Sequence, residues 1–91
     1  MNFESKILSR EISQLLWERE ETLSTAESCT GGLVASRIIE IPGASAVFKC
    51  GVVAYQNEIK ENVLGVPCEI IKEHTEVSAE CALAMARGVA R

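Results

Sequence analysis

The sequence has little of what metal sites, membrane spans and nucleic-acid surfaces are built from. It contains one histidine, His74, and its four cysteines form no C-x-x-C pair, whereas a structural zinc site needs four closely arranged ligands. No run of basic residues is present and the net charge is −4, which argues against a nucleic-acid-binding face. No apolar run approaches the roughly 20 residues that cross a bilayer. We therefore expect no metal, no nucleic-acid partner and no membrane contact.

Composition and cysteine use indicate a cytoplasmic globular domain. Apolar residues make up 47% of the sequence, which is too many for a disordered chain. The length of 91 residues allows at most one domain. The first ten residues mix acids and bases and lack the apolar centre of a signal peptide, so we expect a cytoplasmic protein. Its four cysteines would then be reduced thiols, and we expect three of them to fill core space.

The first half of the chain follows a helix–strand–helix pattern. Residues 3–19 have apolar side chains at three- and four-residue steps, which predicts an amphipathic helix with its apolar stripe in the core. Residues 22–27 are small or β-forming and predict a strand. A polar turn with two glycines follows, and a second helix begins near Thr30 and stops at residues 42–45. The predicted stripe of the first helix consists of Phe3, Ile7, Leu8, Ile12, Leu15 and Leu16.

The second half contains one more strand and three more helical segments. Residues 48–55 predict the strand, Asn57 is a candidate N-cap, and residues 58–64 predict a short helix. Residues 67–74 form another helical piece, and Ser78 caps a last helix. Two strands with several apolar-faced helices are typical of an α/β domain, of the three-layer kind with helices flanking the sheet, and incomplete in this chain. The last helix is expected to face inward with Cys81, Ala82, Met85 and Val89.

Ser28 lies where the first strand ends and the next helix begins. Ligands of α/β sheets bind at the carboxyl ends of strands, and a helix start directs free N–H groups towards that point. Gly31 and Gly32 would let a ligand approach the backbone closely. Ser28 is therefore a candidate nucleophile beside an oxyanion or phosphate site. Helix capping by Ser28 or Thr30 is the commoner role of these residue types at such a place.

Lys60 is the candidate base. If Asn57 is the N-cap, Lys60 lies in the first helical turn, where the helix dipole and partial burial both favour the neutral amine that a base requires. An exposed surface lysine is the ordinary alternative. Tyr55, at the end of the second strand, could donate to an oxyanion or relay a proton, or it could be a packed strand aromatic.

Cys29 offers a rival nucleophile, because a thiol at a helix start is activated and His74 could serve as its base. Nothing in the sequence connects the two residues. The G-x-S-x-G, S-x-x-K and P-loop patterns are all missing around Ser28.

The string T-A-E-S-C-T-G-G at residues 25–32 resembles the signature of the CinA C-terminal family. These proteins are nicotinamide-nucleotide amidohydrolases, also met as the C-terminal domain of competence/damage-inducible protein A. The eight-residue string is specific, and the resemblance continues in register over nearly the whole chain. Its further segments are residues 41–45, 51–60, 64–66 and 77–78.

The resemblance implies hydrolysis of the amide of nicotinamide mononucleotide to nicotinate mononucleotide and ammonia, in pyridine nucleotide recycling. Carried over by position, Ser28 is the nucleophile, Lys60 the base and Tyr55 an assisting residue. No metal or organic cofactor is implied. We expect substrate contacts from the turn that carries Ser28, at Glu27, Thr30, Gly31 and Gly32. A further contact is expected at Asn57, at the start of the helix after the second strand.

Two departures from the family pattern affect these expectations. Thr75 and Glu76 follow His74 where the family has a glycine, which concerns a turn. The family's second half, with a glycine-rich loop and further strands, has no counterpart, so residues 1–91 are expected to be a partial domain, truncated at the C-terminal end. An incomplete domain should self-associate as a homo-oligomer. It could alternatively be a non-catalytic remnant, or the partner subunit of a split enzyme that binds a nucleotide or another chain.

Overall fold

Two parallel strands lie at the centre of the structure, a computed structural model in which residues 3–91 are described. The strands are β1 (Leu23–Glu27) and β2 (Phe48–Val53), and they are neighbours in one two-stranded sheet. Their parallel register places Thr25 opposite Gly51 and Glu27 opposite Val53. The five helices are α1 (Phe3–Arg19), α2 (Leu33–Ile39), α3 (Asn57–Asn62), α4 (Cys68–His74) and α5 (Ala79–Ala90), with a 3-10 turn at Ala44–Ala46.

Helices cover both faces of this sheet. Successive residues of a strand point to opposite faces, so the partners Ala26 and Val52 share one face and Thr25 and Gly51 share the other. Ala26 and Val52 pack on the core formed with α5. On the opposite face, a Cβ added to Gly51 would lie 3.2 Å from the Cβ of Ala35 in α2. The arrangement confirms the predicted three-layer α/β class.

The main core lies between the sheet and α5. Ser78 caps this helix as predicted, because its Oγ accepts a hydrogen bond from the Cys81 N–H at 3.1 Å. Cys81 and Met85 are buried as expected, whereas Ala82 is exposed and the prediction for it is wrong. Of the four cysteines, Cys81 alone is buried, so the expectation of three core cysteines is also wrong. The remaining members of the buried cluster are Ala54, Leu64 and Val66.

Helix α1 presents the opposite face to the one that its sequence predicts. Its main helical contact is with α2, and the side it buries there is small and polar: Ser9 is 5% exposed. The predicted apolar stripe is exposed at four positions, and Leu8 reaches 58%. Small serine side chains allow two helices to approach closely. The side of α1 that contacts α2 is therefore narrow, and the apolar stripe lies outside the contact. The exposed stripe consists of Ile7, Leu8, Ile12 and Leu15, and Phe3 as a side chain lies outside the described residues.

Several element boundaries differ from the predictions by one to three residues. Strand β1 begins one residue late and β2 ends at Val53, two residues early. Helix α2 begins at Leu33 and not near Thr30, because Gly31 and Gly32 have φ of +63° and +94° and hold the chain in a turn. Helix α3 begins at Asn57, so its N-cap is Gln56 and not Asn57. No helix within residues 3–91 has the length and apolarity to span a membrane.

Candidate active site

The carboxyl ends of the two strands open into one cavity of about 720 Å³. Because the strands are parallel, the turn after β1 and the chain leaving β2 lie at the same edge, and the Ala54 N–H donates to the Glu27 carbonyl at 2.8 Å. The loop before α5 and the first half of α5 close the other side. Every predicted catalytic residue lines this cavity. The lining consists of Ala26, Glu27, Ser28, Cys29, Thr30, Tyr55, Gln56, Asn57, Lys60, Glu76, Val77, Ser78, Ala82 and Met85.

Glu27 holds the turn that carries Ser28. Its carboxylate is buried and accepts hydrogen bonds from the Thr30 hydroxyl (2.7 Å) and from the N–H groups of Val34 (2.8 Å) and Ala35 (3.1 Å). Burial raises the pKa of Glu27, but the hydrogen bonds from Thr30, Val34, Ala35 and Gly32 together outweigh it, so the pKa lies below its ordinary value. Glu27 therefore caps α2 as a carboxylate, while substrate contact by Glu27 stays a prediction.

This capping corrects the expectation that N–H groups at the start of α2 are free for an oxyanion. Those of Val34 and Ala35 donate to Glu27, and that of Leu33 donates to the Thr30 carbonyl. Within residues 3–91, the N–H groups of Cys29 and Thr30 donate no hydrogen bond to the protein. They are therefore the donors in this turn that remain open to a ligand.

Lys60 is buried at the base of the cavity and not exposed as an ordinary lysine would be. It is 2% exposed, and its Nζ donates to the Tyr55 carbonyl at 2.9 Å. No ion pair to Lys60 occurs among the described residues. A buried lysine with a neutral acceptor and no carboxylate is uncommon in a purely structural role.

Ser28 and Lys60 face the same cavity, but their side chains make no direct hydrogen bond in the described part of the chain. The Nζ group is instead directed to the backbone of Tyr55. Ser28 is half-buried, which leaves its hydroxyl accessible from the cavity. A bridge of one water between the two groups stays a prediction.

The remaining predicted site residues lie around the cavity mouth. Tyr55 is 73% exposed, and the contact that it makes with the site is through its carbonyl and not its hydroxyl. Asn57 begins α3 and Thr30 bonds to Glu27, and both line the cavity. Gly31 and Gly32 shape the turn but are not part of the lining.

The rival cysteine–histidine pair is not brought together. Cys29 lines the cavity, whereas His74 does not and lies 3.8 Å from carboxylates of Glu73 and Glu80. In residues 3–91, no cluster of three or more histidine, cysteine or acidic side chains is arranged to hold a metal.

Sequence reasoning missed the contribution of the loop before α5. Glu76, Val77 and Ser78 line the cavity opposite Ser28, and the loop is ordered by the Ser78 hydroxyl, which donates to the Thr75 carbonyl at 2.9 Å. The departure at Thr75 has a structural consequence, because this residue has φ of +72°, a conformation that favours glycine. The departure from the expected glycine at residue 75 was the one signal in the sequence that pointed to this loop.

Comparisons with known proteins show similarity over nearly the whole chain. The family model for the CinA C-terminal domain matches residues 5–91. The chain belongs to the CinA C-terminal domain family. A CinA-like protein from Dictyoglomus turgidum is 49% identical over 84 residues, and one from a strain of Prochlorococcus marinus is 56% identical over 82 residues. These matches cover 92% and 90% of this chain.

A solved structure shares the fold of this CinA-family chain closely. The competence/damage inducible protein CihA from Agrobacterium tumefaciens matches with a TM-score of 0.94 and 40% identity, over 98% of this chain and 54% of its own. The chain thus spans about half the length of that structure. It spans 20% and 19% of the two CinA-like proteins.

Proposed function

We propose that this chain carries the nucleophile and the base of a nicotinamide mononucleotide amidohydrolase. The observation that carries the proposal is Lys60, a buried lysine without an acidic partner among the described residues, in the same cavity as Ser28. The cavity volume, about 720 Å³, falls in the ordinary range for small-molecule sites. The family membership supports the same chemistry.

In the proposed reaction, Ser28 Oγ attacks the carboxamide carbon while Lys60 Nζ takes the hydroxyl proton. The oxyanion faces the Cys29 and Thr30 N–H groups, which have no partner in the described chain. Collapse expels ammonia, which receives the proton that Lys60 took from Ser28, either directly or through the Tyr55 hydroxyl, which gives up its own proton and is reprotonated by Lys60. Water then hydrolyses the acyl-enzyme to nicotinate mononucleotide, and Ser28 regains its proton.

Ammonia release from nicotinamide mononucleotide by the purified chain tests the proposal. Ser28→Ala and Lys60→Ala should each abolish release while the circular dichroism spectrum is retained, and Cys29→Ala should retain activity. Activity that survives in Ser28→Ala and is lost in Cys29→Ala would assign the nucleophile to Cys29.

The exposed apolar stripe of α1 favours a second candidate function, that of a subunit whose activity depends on another polypeptide. The same assay tests this candidate when it is run with and without the part of the Agrobacterium tumefaciens protein that this chain does not match. Release by this chain alone contradicts the second candidate. Release that needs the added portion supports it, and Ser28→Ala in this chain then tests whether Ser28 is still the nucleophile.

A further inference from the structure

The carboxylate of Glu27 and the hydroxyl of Thr30 close a small ring around Ser28. Glu27 directly precedes Ser28 and Thr30 follows two residues later, and their side chains meet at 2.7 Å. Two backbone bonds brace the same turn, from Gly31 N–H to the Ser28 carbonyl and from Leu33 N–H to the Thr30 carbonyl, both at 3.1 Å. The residues on both sides of Ser28 are therefore joined through the buried Glu27 carboxylate, and backbone bonds hold the same turn.

Both oxygens of the Glu27 carboxylate are engaged by the protein itself. Each carboxylate oxygen of Glu27 accepts at least one hydrogen bond, Oε1 from Thr30 and Val34 and Oε2 from Ala35. Glu27 is also only 6% exposed, although it borders the cavity. A ligand that used this carboxylate would have to displace bonds that hold α2 against β1, so the arrangement suits internal support and not ligand binding.

We propose that Glu27 is a positioning residue, which with Thr30 fixes the orientation of Ser28 towards Lys60 and does not contact the substrate. The proposal rests on the proposed role of Ser28 as the nucleophile. It replaces substrate binding by the Glu27 carboxylate and the Thr30 hydroxyl with a role exerted through Ser28, while the Thr30 N–H keeps its proposed place at the oxyanion. A nucleophile on a turn of small and polar residues needs such support, because displacement by about 1 Å can cost as much as 100-fold in rate.

Three substitutions probe this support, and one serves as a matched control. Glu27→Gln keeps the shape but replaces one acceptor oxygen with an NH₂ donor, which faces N–H groups. Thr30→Val removes the hydroxyl at constant shape, whereas Thr30→Ser restores it. Glu40→Gln makes the same chemical change at the exposed carboxyl end of α2, where the Glu40 carboxylate pairs only with Arg37, at 3.9 Å, in the described chain.

The first measurement is the rate at which a fluorophosphonate probe labels Ser28 in the full chain, below the unfolding temperature of every variant. Labelling forms an Oγ–P bond, expels fluoride and passes the hydroxyl proton to a base. We expect Glu27→Gln and Thr30→Val to slow labelling by roughly 10- to 100-fold. Thr30→Ser should recover most of the rate, and Glu40→Gln should match the original chain. An unchanged rate in folded Glu27→Gln would overturn the proposal, because capping alone would lower only the unfolding temperature.

The second measurement does not depend on the reactivity of Ser28. Amide hydrogen exchange at Gly31 and Leu33, followed by NMR, reports on the two bonds that brace the turn. Exchange at both should be at least about tenfold faster in Glu27→Gln, with Cys81 in α5 unchanged as an internal control. If the original chain is not labelled at all, the nucleophile proposal fails, and exchange then decides the role of Glu27. Unchanged exchange at Gly31 in Glu27→Gln would overturn the proposal that Glu27 supports the turn of Ser28.

Discussion

Helices α5 and α1 show two ways in which an amphipathic helix can meet the same small domain. Helix α5 buries Cys81 and Met85 against the sheet and begins at a serine cap. Helix α1 is longer, yet it buries Ser9 against α2 and leaves Leu8 exposed. The difference teaches that an apolar stripe is buried only where a neighbouring layer lies opposite it. The sheet supplies that layer to α5, whereas the main partner of α1 is another helix, α2.

The closest packing on the α5 side occurs at Gly88. A Cβ added there would overlap the Leu64 carbonyl oxygen, and both groups belong to backbone that has little freedom to move. Gly88→Ala should therefore lower the free energy of unfolding by about 3 kcal/mol, although alanine is the better helix former. Urea denaturation measures the change. Ala86→Gly, on the exposed side of the same helix, is the control and should cost about 1 kcal/mol.

A cavity created in the same core by a substitution should have the next largest effect on the free energy of unfolding. Met85 is buried among Ala54, Leu64 and Val66, so Met85→Ala should cost about 2–3 kcal/mol in the free energy of unfolding. Thermal and urea unfolding both report it. A cost below that of Leu8→Ala would show that α5 is not the better-packed helix and would break the comparison.

The Glu27 cap should contribute less and in a pH-dependent way. At pH 7, Glu27→Gln should lower the free energy of unfolding by about 1 kcal/mol. Because the folded pKa of Glu27 lies below its ordinary value, the contribution is complete above the unfolded pKa, about 4.3, and is lost as the pH falls through the folded pKa. Urea titrations from pH 7 downwards should show the gap between the two chains narrow once the pH has fallen below the unfolded pKa. Glu40→Gln should show no such pH-dependent gap.

The smallest effect on stability is expected on α1. Leu8→Ala should change the free energy of unfolding by less than about 0.5 kcal/mol, because Leu8 is 58% exposed. It should instead weaken concentration-dependent self-association, since exposed apolar patches drive contact between chains. Light scattering over a dilution series measures this. Leu83→Ala, at a similarly exposed leucine of α5, is the control, and an equal effect there would remove the distinction between the helices.

The local patterns predicted the parts of the fold that depend on neighbouring residues. The two strands and the Ser78 cap agree with prediction because β-forming runs and capping serines act within a few residues, whereas the parallel direction of the strands is a result of the tertiary structure. The helix predicted over residues 3–19 is confirmed as α1, but the predicted burial of its apolar stripe was wrong, because periodicity locates a stripe and does not say what lies opposite it. The expected free N–H groups of α2 were also wrong, because a glutamate seven residues before Val34 occupies them and no sequence rule marks that distance.

What the sequence by itself determined is the order of elements, the α/β class and the family, because the string at residues 25–32 and the alternation of strands and helices are local properties of the chain. Only the tertiary structure decided that Lys60 is buried beside the turn of Ser28, that Tyr55 acts on it through its carbonyl, and that Glu27 is occupied by α2. The physical reason is that burial and hydrogen-bond partners follow from how layers pack, and residues 27 and 60 meet one cavity only after two parallel strands have brought their ends together.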